Sequence, residues 1–126
     1  MYKLKVIDSF SAAHNLRNYK GKCEELHGHN YKVEVVLGGL ELDEDGLLID
    51  FKDIKTSLKK ILETLDHKYL NEVTIFVDTN PTSENLAKYI YNEMKKLWHE
   101  GIDSVTVWET ENSAASYFEQ QSSWKI

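Results

Sequence analysis

The chain has little of what small proteins use to staple or bend themselves. Among 126 residues there are one cysteine, one proline and six glycines. A single cysteine excludes an internal disulfide, so the fold has to rest on an apolar core. A reducing, cytoplasmic compartment is expected. No apolar run approaches the length a membrane span requires, and no secretory leader is read at the start. Linker-like stretches, internal repeats and low-complexity segments are missing, so residues 1–126 are expected to form one domain. Positive charge is also short, with a formal net charge of -6. That argues against broad binding to nucleic acid or anionic membranes. A small anionic substrate stays open, because Arg17, Lys20 and Lys22 cluster just before Cys23. The same cluster also reads as a solvated basic loop.

What is present is periodicity. Tyr2, Leu4, Val6, Phe10 and Ala12 share one parity and predict a strand with one buried face, with Asp8 as an interruption that marks a bulge or a partner. A second strand is expected from near His29, with Tyr31, Val33, Val35 and Leu37 on one face and Gly38-Gly39 at its end. Phe51, Ile54, Leu58, Ile61, Leu62 and Leu65 form a helical stripe, opened by Asp50 or Asp53. A second helix is predicted from Pro81-Thr82-Ser83-Glu84 to Gly101, with Thr82 as its cap and Leu86, Tyr89, Ile90, Met94 and Leu97 on its apolar face. Strands around Val105–Val107 and from Ala115 to Gln120 complete a β-β-α-α-β-β order. The expected class is α+β: a four-stranded antiparallel sheet with two helices on one face. Nothing obvious in the sequence blunts its two edges, which favours oligomerisation through them.

The chemistry concentrates in CEELHGHNY, which holds the lone Cys23 and two of the five histidines. His27 and His29 are two apart, so an extended backbone puts both rings on one face. His14 ends the first strand, and a hairpin would bring it to them. Three converging imidazoles fit a zinc site with one open position. Packed structural histidines are the competing reading, and Cys23 could also close the site as a fourth ligand. Cys23 has polar neighbours, so it is not expected in the core. A thiolate near metal or positive charge would be reactive. Asp66-His67 reads as a carboxylate that orients a general base, or as a histidine placed at a helix C-terminus. Glu109 continues the parity of Val105 and Val107. Either it is solvated beyond the strand, or its two oxygens receive paired donors of a guanine-like heterocycle. His99 reads as surface.

Five segments together, SFSAAHNL, CEELHGHNY, LDHKYLN, NPTSENLA and the strand-end WET, resemble the 6-pyruvoyltetrahydropterin synthase superfamily over about residues 2–120. The resemblance implies the tunnelling fold, in which β-β-α-α-β-β subunits join edge to edge into a barrel, commonly a hexamer. It implies Zn2+ on His14, His27 and His29, with Cys23, Asp66 and His67 as the proton-transfer set. Glu109 would anchor a pterin ring, and Thr82 and Ser83 would add pterin contacts. The substrate would be a pterin triphosphate, with Arg17, Lys20 and Lys22 as candidate triphosphate partners.

Three residues separate Cys23 from His27. That spacing resembles the branch making 6-carboxytetrahydropterin in the queuosine pathway, whereas the pyruvoyl branch usually has five. A folate-linked branch has E-x-x-HGH, and Glu24 satisfies that pattern as well. Glu24 is therefore an alternative catalytic residue, for release of 6-hydroxymethyldihydropterin. A zinc- or pterin-binding module without turnover is the non-enzymatic reading.

Overall fold

The computed structural model describes residues 1–119. The strand expected up to Gln120 therefore runs partly outside the described residues. The order is β1 (Tyr2–His14), β2 (His27–Gly39), α1 (Phe51–Glu63), two short 3-10 turns (Leu70–Glu72 and Thr74–Phe76), α2 (Ser83–Trp98), a 3-10 turn (His99–Gly101), β3 (Ile102–Thr110) and β4 (Ser113–Tyr117). The sheet is antiparallel in the order β1-β2-β3-β4.

Alternation builds the first hairpin. Val6, Phe10, Ala12 and His14 of β1 are buried, as are Tyr31, Val33, Val35 and Leu37 of β2. Burying an aliphatic or aromatic side chain of this size contributes about 1.5–3 kcal/mol. The ladder runs without a shift from Tyr2↔Gly39 to His14↔His27. Asp8 thus marks no bulge. Its carboxylate accepts the next residue's N–H, from Ser9, at 2.8 Å.

Both helices start where the sequence places them. The Asp50 carboxylate accepts the Lys52 N–H, and the Thr82 hydroxyl accepts that of Asn85, so each satisfies a donor that the first turn leaves free. Ile54, Leu58, Ile61 and Leu62 of α1 are buried, as are Leu86, Ala87, Ile90, Tyr91 and Met94 of α2. Phe51 and Leu97, expected on these faces, are exposed; each sits in a terminal turn of its helix. α2 stops at Trp98 rather than at Gly101. His99 takes a positive φ of 48° there, while its N–H still reaches the Lys95 carbonyl.

α1 packs on β1, and α2 on β3 and β4. The opposite sheet face is polar, with Trp108 Nε1 donating to Glu34 Oε1 at 3.0 Å. No helix among the described residues is long and apolar enough to cross a membrane.

One expectation needs correction. The edge of β1 is not bare along its whole length. Residues 66–69 run beside its last turns: His67 N–H donates to Ser11 O at 2.6 Å, Ala13 N–H to Lys68 O at 3.0 Å, and Ala13 bridges Tyr69 in parallel. The rest of the β1 edge has no neighbouring strand among the described residues.

Candidate functional site

The unshifted hairpin sets the three histidines. His14 pairs directly with His27, and Ala12 with His29, so all three rings project from one face at one end of the sheet. One nitrogen from each can be chosen so that the three lie within 4.8 Å of one another. His14 Nδ1 is 2.8 Å from the Pro81 carbonyl oxygen, and His27 Nδ1 is 2.8 Å from that of Glu25. A carbonyl only accepts, so both Nδ1 atoms carry the proton. The two Nε2 atoms face each other at 3.1 Å. The Nε2 of His29 is buried without a hydrogen-bond partner. Burial lowers the His29 pKa, more than the nearby Glu109 carboxylate raises it. Three ring nitrogens converging on one point, two of the rings oriented through their second nitrogen, fit a divalent metal ion.

Tyr31 forms the floor. It shares the parity of His27 and His29, stacks on Phe10, and places its hydroxyl 3.2 Å from His14 Nδ1. Burial pushes its phenol pKa far up, so it stays protonated. The period-2 pattern contained this signal. The Pro81 and Glu25 carbonyls had none, because backbone acceptors are blind to side-chain identity.

Two carboxylates approach the rings. Glu109 Oε1 lies 3.6 Å from His14 Nε2 and 3.7 Å from His29 Nε2. The β3–β4 register breaks between Trp108 and Thr110, around this residue. Glu109 is thus not a solvated residue beyond a strand end. Glu24 Oε1 accepts the Leu16 N–H at 3.1 Å and lies 4.0 Å from His27 Nε2. Its neighbour Cys23 is exposed and has no hydrogen-bond partner among the described residues.

Asp66 and His67 do not close α1, which ends at Glu63. They lie on the segment that flanks β1. Asp66 Oδ1 accepts the Ser11 N–H at 2.9 Å, and Asp66 Oδ2 is 3.0 Å from His67 Nδ1. The Ser11 N–H, and then His67, hold the Asp66 carboxyl below its ordinary range. His67 adopts a φ of 58°, and its ring is 82% exposed. His29 and His67 border one open groove of about 530 Å³, with Ser11, Asn30 and Tyr69 among its other walls. No hydrogen bond or ion pair joins the Asp66-His67 pair to the other histidines among the described residues.

The basic cluster behaves differently from expectation. The Arg17 guanidinium donates to the carbonyls of Asn71 (3.1 Å), Phe76 (2.8 Å) and Thr79 (3.3 Å). It fastens the 71–80 segment and is committed to that role. Lys20 and Lys22 stay exposed. Thr82 spends its hydroxyl on the α2 cap, and Ser83 opens the helix beside the carbonyl that orients His14.

A sheet whose first hairpin presents three convergent imidazoles, with a carboxylate–imidazole pair along its edge, defines a small α+β protein built around a candidate metal centre. The sequence matches the family described as 6-pyruvoyl tetrahydropterin synthase over residues 3–120, so the chain belongs to that family, and it is an enzyme. Relatives include the 6-carboxy-5,6,7,8-tetrahydropterin synthase of Haemophilus influenzae, 34% identical over 142 residues that cover 94% of this chain and 100% of that protein. The protein of the same name from Synechocystis is 38% identical over 115 residues, covering 87% and 88%. The structure of Caenorhabditis elegans 6-pyruvoyl tetrahydropterin synthase aligns with a TM-score of 0.83 at 30% identity, over 94% of this chain and 96% of that one.

Proposed function

We propose that the chain is a zinc-dependent 6-carboxy-5,6,7,8-tetrahydropterin synthase acting in the cytoplasm, on the route to queuosine. It takes 7,8-dihydroneopterin triphosphate and water to 6-carboxytetrahydropterin, acetaldehyde and triphosphate. The observation that carries this is the convergence of His14, His27 and His29 in a chain where three residues separate Cys23 from the first histidine of HGH. The names of the Haemophilus and Synechocystis relatives support the same product.

His14, His27 and His29 would hold the zinc ion, which would supply Lewis-acid chemistry at the substrate's side-chain hydroxyls. Glu109 receives the amino and ring N–H groups of the pterin and so orients the ring. Thr82 and Ser83, next to Pro81, add pterin contacts. Cys23 removes a proton from the side-chain carbon next to the ring. His67, oriented by Asp66 at 3.0 Å, exchanges the second proton. Both Cys23 and His67 are exposed in the single chain, so a neighbouring subunit is needed to enclose them. The open stretch of the β1 edge supports edge-to-edge assembly, as in a hexameric barrel.

A second reading rests on Glu24. Its carboxylate is aimed at His27 while Cys23 faces solvent. That arrangement favours Glu24 as the proton-transfer group for release of 6-hydroxymethyldihydropterin.

Product analysis separates these readings. Zinc-loaded protein is incubated with dihydroneopterin triphosphate, and the products are identified by mass spectrometry. Carboxytetrahydropterin with acetaldehyde is expected. Hydroxymethyldihydropterin as the main product makes Glu24 the catalytic group. No product from zinc-loaded protein leaves a binding module and overturns the proposal.

A further inference from the structure

Asn15 follows His14 directly, and each of its four hydrogen-bonding groups is used. Its N–H donates to Asn71 Oδ1 at 3.0 Å, and its carbonyl accepts from Asn71 Nδ2 at 2.8 Å. Asn71 is itself buried. The Asn15 side chain then reaches two other segments. Its Oδ1 accepts the Tyr69 hydroxyl at 2.7 Å, and its Nδ2 donates to the Glu24 carbonyl at 3.1 Å. Tyr69 lies on the strip that carries Asp66 and His67, and Glu24 follows Cys23 directly.

The adjoining residue completes the grip. Glu24 N–H donates to Leu16 O at 2.9 Å, while Leu16 N–H donates to Glu24 Oε1 at 3.1 Å. Three bonds from Asn15 and Leu16 thus fix Glu24 at its N–H, its carbonyl and its carboxylate. Little else holds the loop: Cys23 makes no hydrogen bond among the described residues, the Glu25 carbonyl meets His27 Nδ1 at 2.8 Å, and Glu25 and Leu26 are exposed. An amide is the side chain suited to the central place. A hydroxyl donor on one side and a carbonyl acceptor on the other require an acceptor and a donor on the same planar group.

We infer that Asn15 is a positioning residue. Through one side-chain amide it ties the Cys23–His27 segment to the strip bearing Asp66 and His67, and so sets where the proton-transfer groups stand relative to the histidines. The inference rests on the proposed pterin chemistry for its consequence, not for its geometry. Small displacements of reacting groups have large effects on rate and little effect on substrate affinity or metal binding.

The test uses the full, zinc-loaded chain and two variants. Asn15→Asp keeps the size and the acceptor for Tyr69 but turns a carboxylate toward the Glu24 carbonyl. Tyr69→Phe removes only the hydroxyl and protects against a folding failure of the first variant. In Asn15→Asp, kcat for dihydroneopterin triphosphate is expected to fall about tenfold or more, with KM within about twofold and zinc content unchanged. Tyr69→Phe is expected to show the same split at smaller size. Amide exchange of a peptide spanning residues 23–27 should quicken in both. A lowered melting temperature with unchanged kcat overturns the inference, as does loss of zinc from Asn15→Asp. Should the wild-type chain itself turn over no pterin, the functional reading fails separately. The exchange measurement then decides alone, and unaltered exchange at residues 23–27 overturns the positioning role.

Discussion

At the scale of single residues, the telling feature is the approach of the His14 and His27 Nε2 atoms to 3.1 Å while each ring's Nδ1 faces a backbone carbonyl. A ring oriented through its Nδ1 offers its Nε2 to a metal ion. His27 is part-exposed, so its removal should disturb the centre more than the fold. His27→Ala is expected to lose bound metal, from about one ion per chain to almost none, with its melting temperature near that of metal-stripped wild type. Metal analysis after purification without a histidine tag reads this, and full occupancy in the variant would refute the ligand assignment. Asp66 offers a pH test. Its folded-state pKa is depressed, chiefly by the Ser11 N–H, so the folded form favours the ionised carboxylate. That stability is complete above the ordinary carboxylate value of about 3.9 and is lost as the pH falls below it. Wild type and Asp66→Asn should therefore differ in denaturation midpoint near neutrality and converge in acid. A gap that persists unchanged at low pH would count against the bond.

At the scale of elements, Arg17 separates two roles with one substitution. It holds three carbonyls of the segment that leads to Pro81 and α2. Arg17→Ala is expected to destabilise the chain by about 2 kcal/mol or more, since hydrogen bonds from a charged donor are worth about 1.5–3 kcal/mol each before the loop relaxes. Chemical denaturation measures it. A large rise in KM with unchanged stability would restore the triphosphate role instead. The contrast shows what sequence could and could not convey. Val33, Val35 and Leu37, or Ile54, Leu58 and Ile61, announce their elements through local periods of 2 and 3.6. The same period placed His14, His27 and His29 together, because an unshifted antiparallel hairpin is the simplest way to bring the apolar residues of both strands to one face. Arg17 gave no such signal, as its partners are distant carbonyls. Leu65 continued the α1 stripe and so carried Asp66-His67 with it on paper. The helix stops at Glu63, and the positive φ of His67, which glycine would have advertised, turns the pair onto the β1 edge. Cys23 was correctly read as lying outside the core, but the two bonds that hold the adjoining Glu24 to Leu16 follow from no sequence pattern.

At the scale of the whole molecule, the half-covered β1 edge invites another copy. The Ser11 and Ala13 N–H groups point outward to residues 66–69, so those of Ile7 and Ser9, on the same parity, point outward too. The Ser9 N–H is taken by Asp8, and Ile7 is exposed. Ile7→Pro removes an outward N–H that the monomer's ladder does not need, a change edge strands tolerate. Light scattering after size exclusion should show a smaller assembly for Ile7→Pro than for wild type, with far-ultraviolet circular dichroism unchanged. Equal masses would place the contact elsewhere. The ladder that creates this edge also acts as a ruler. His14 and His27 are registered against each other across the strands, while residues 15–26 bulge out as a loop that adds nothing to their separation. Loop length can then change without altering the register of the three imidazoles, whereas one residue gained inside either strand would swing an imidazole to the wrong face. The register of the three imidazoles and the loop that carries Cys23 and Glu24 are thus written in different stretches of chain, which meet at the Glu25 carbonyl beside His27 Nδ1. On the proposed chemistry, substitutions at Cys23 and Glu24 that keep Glu25 in place change the proton-transfer groups and leave the register of the imidazoles intact.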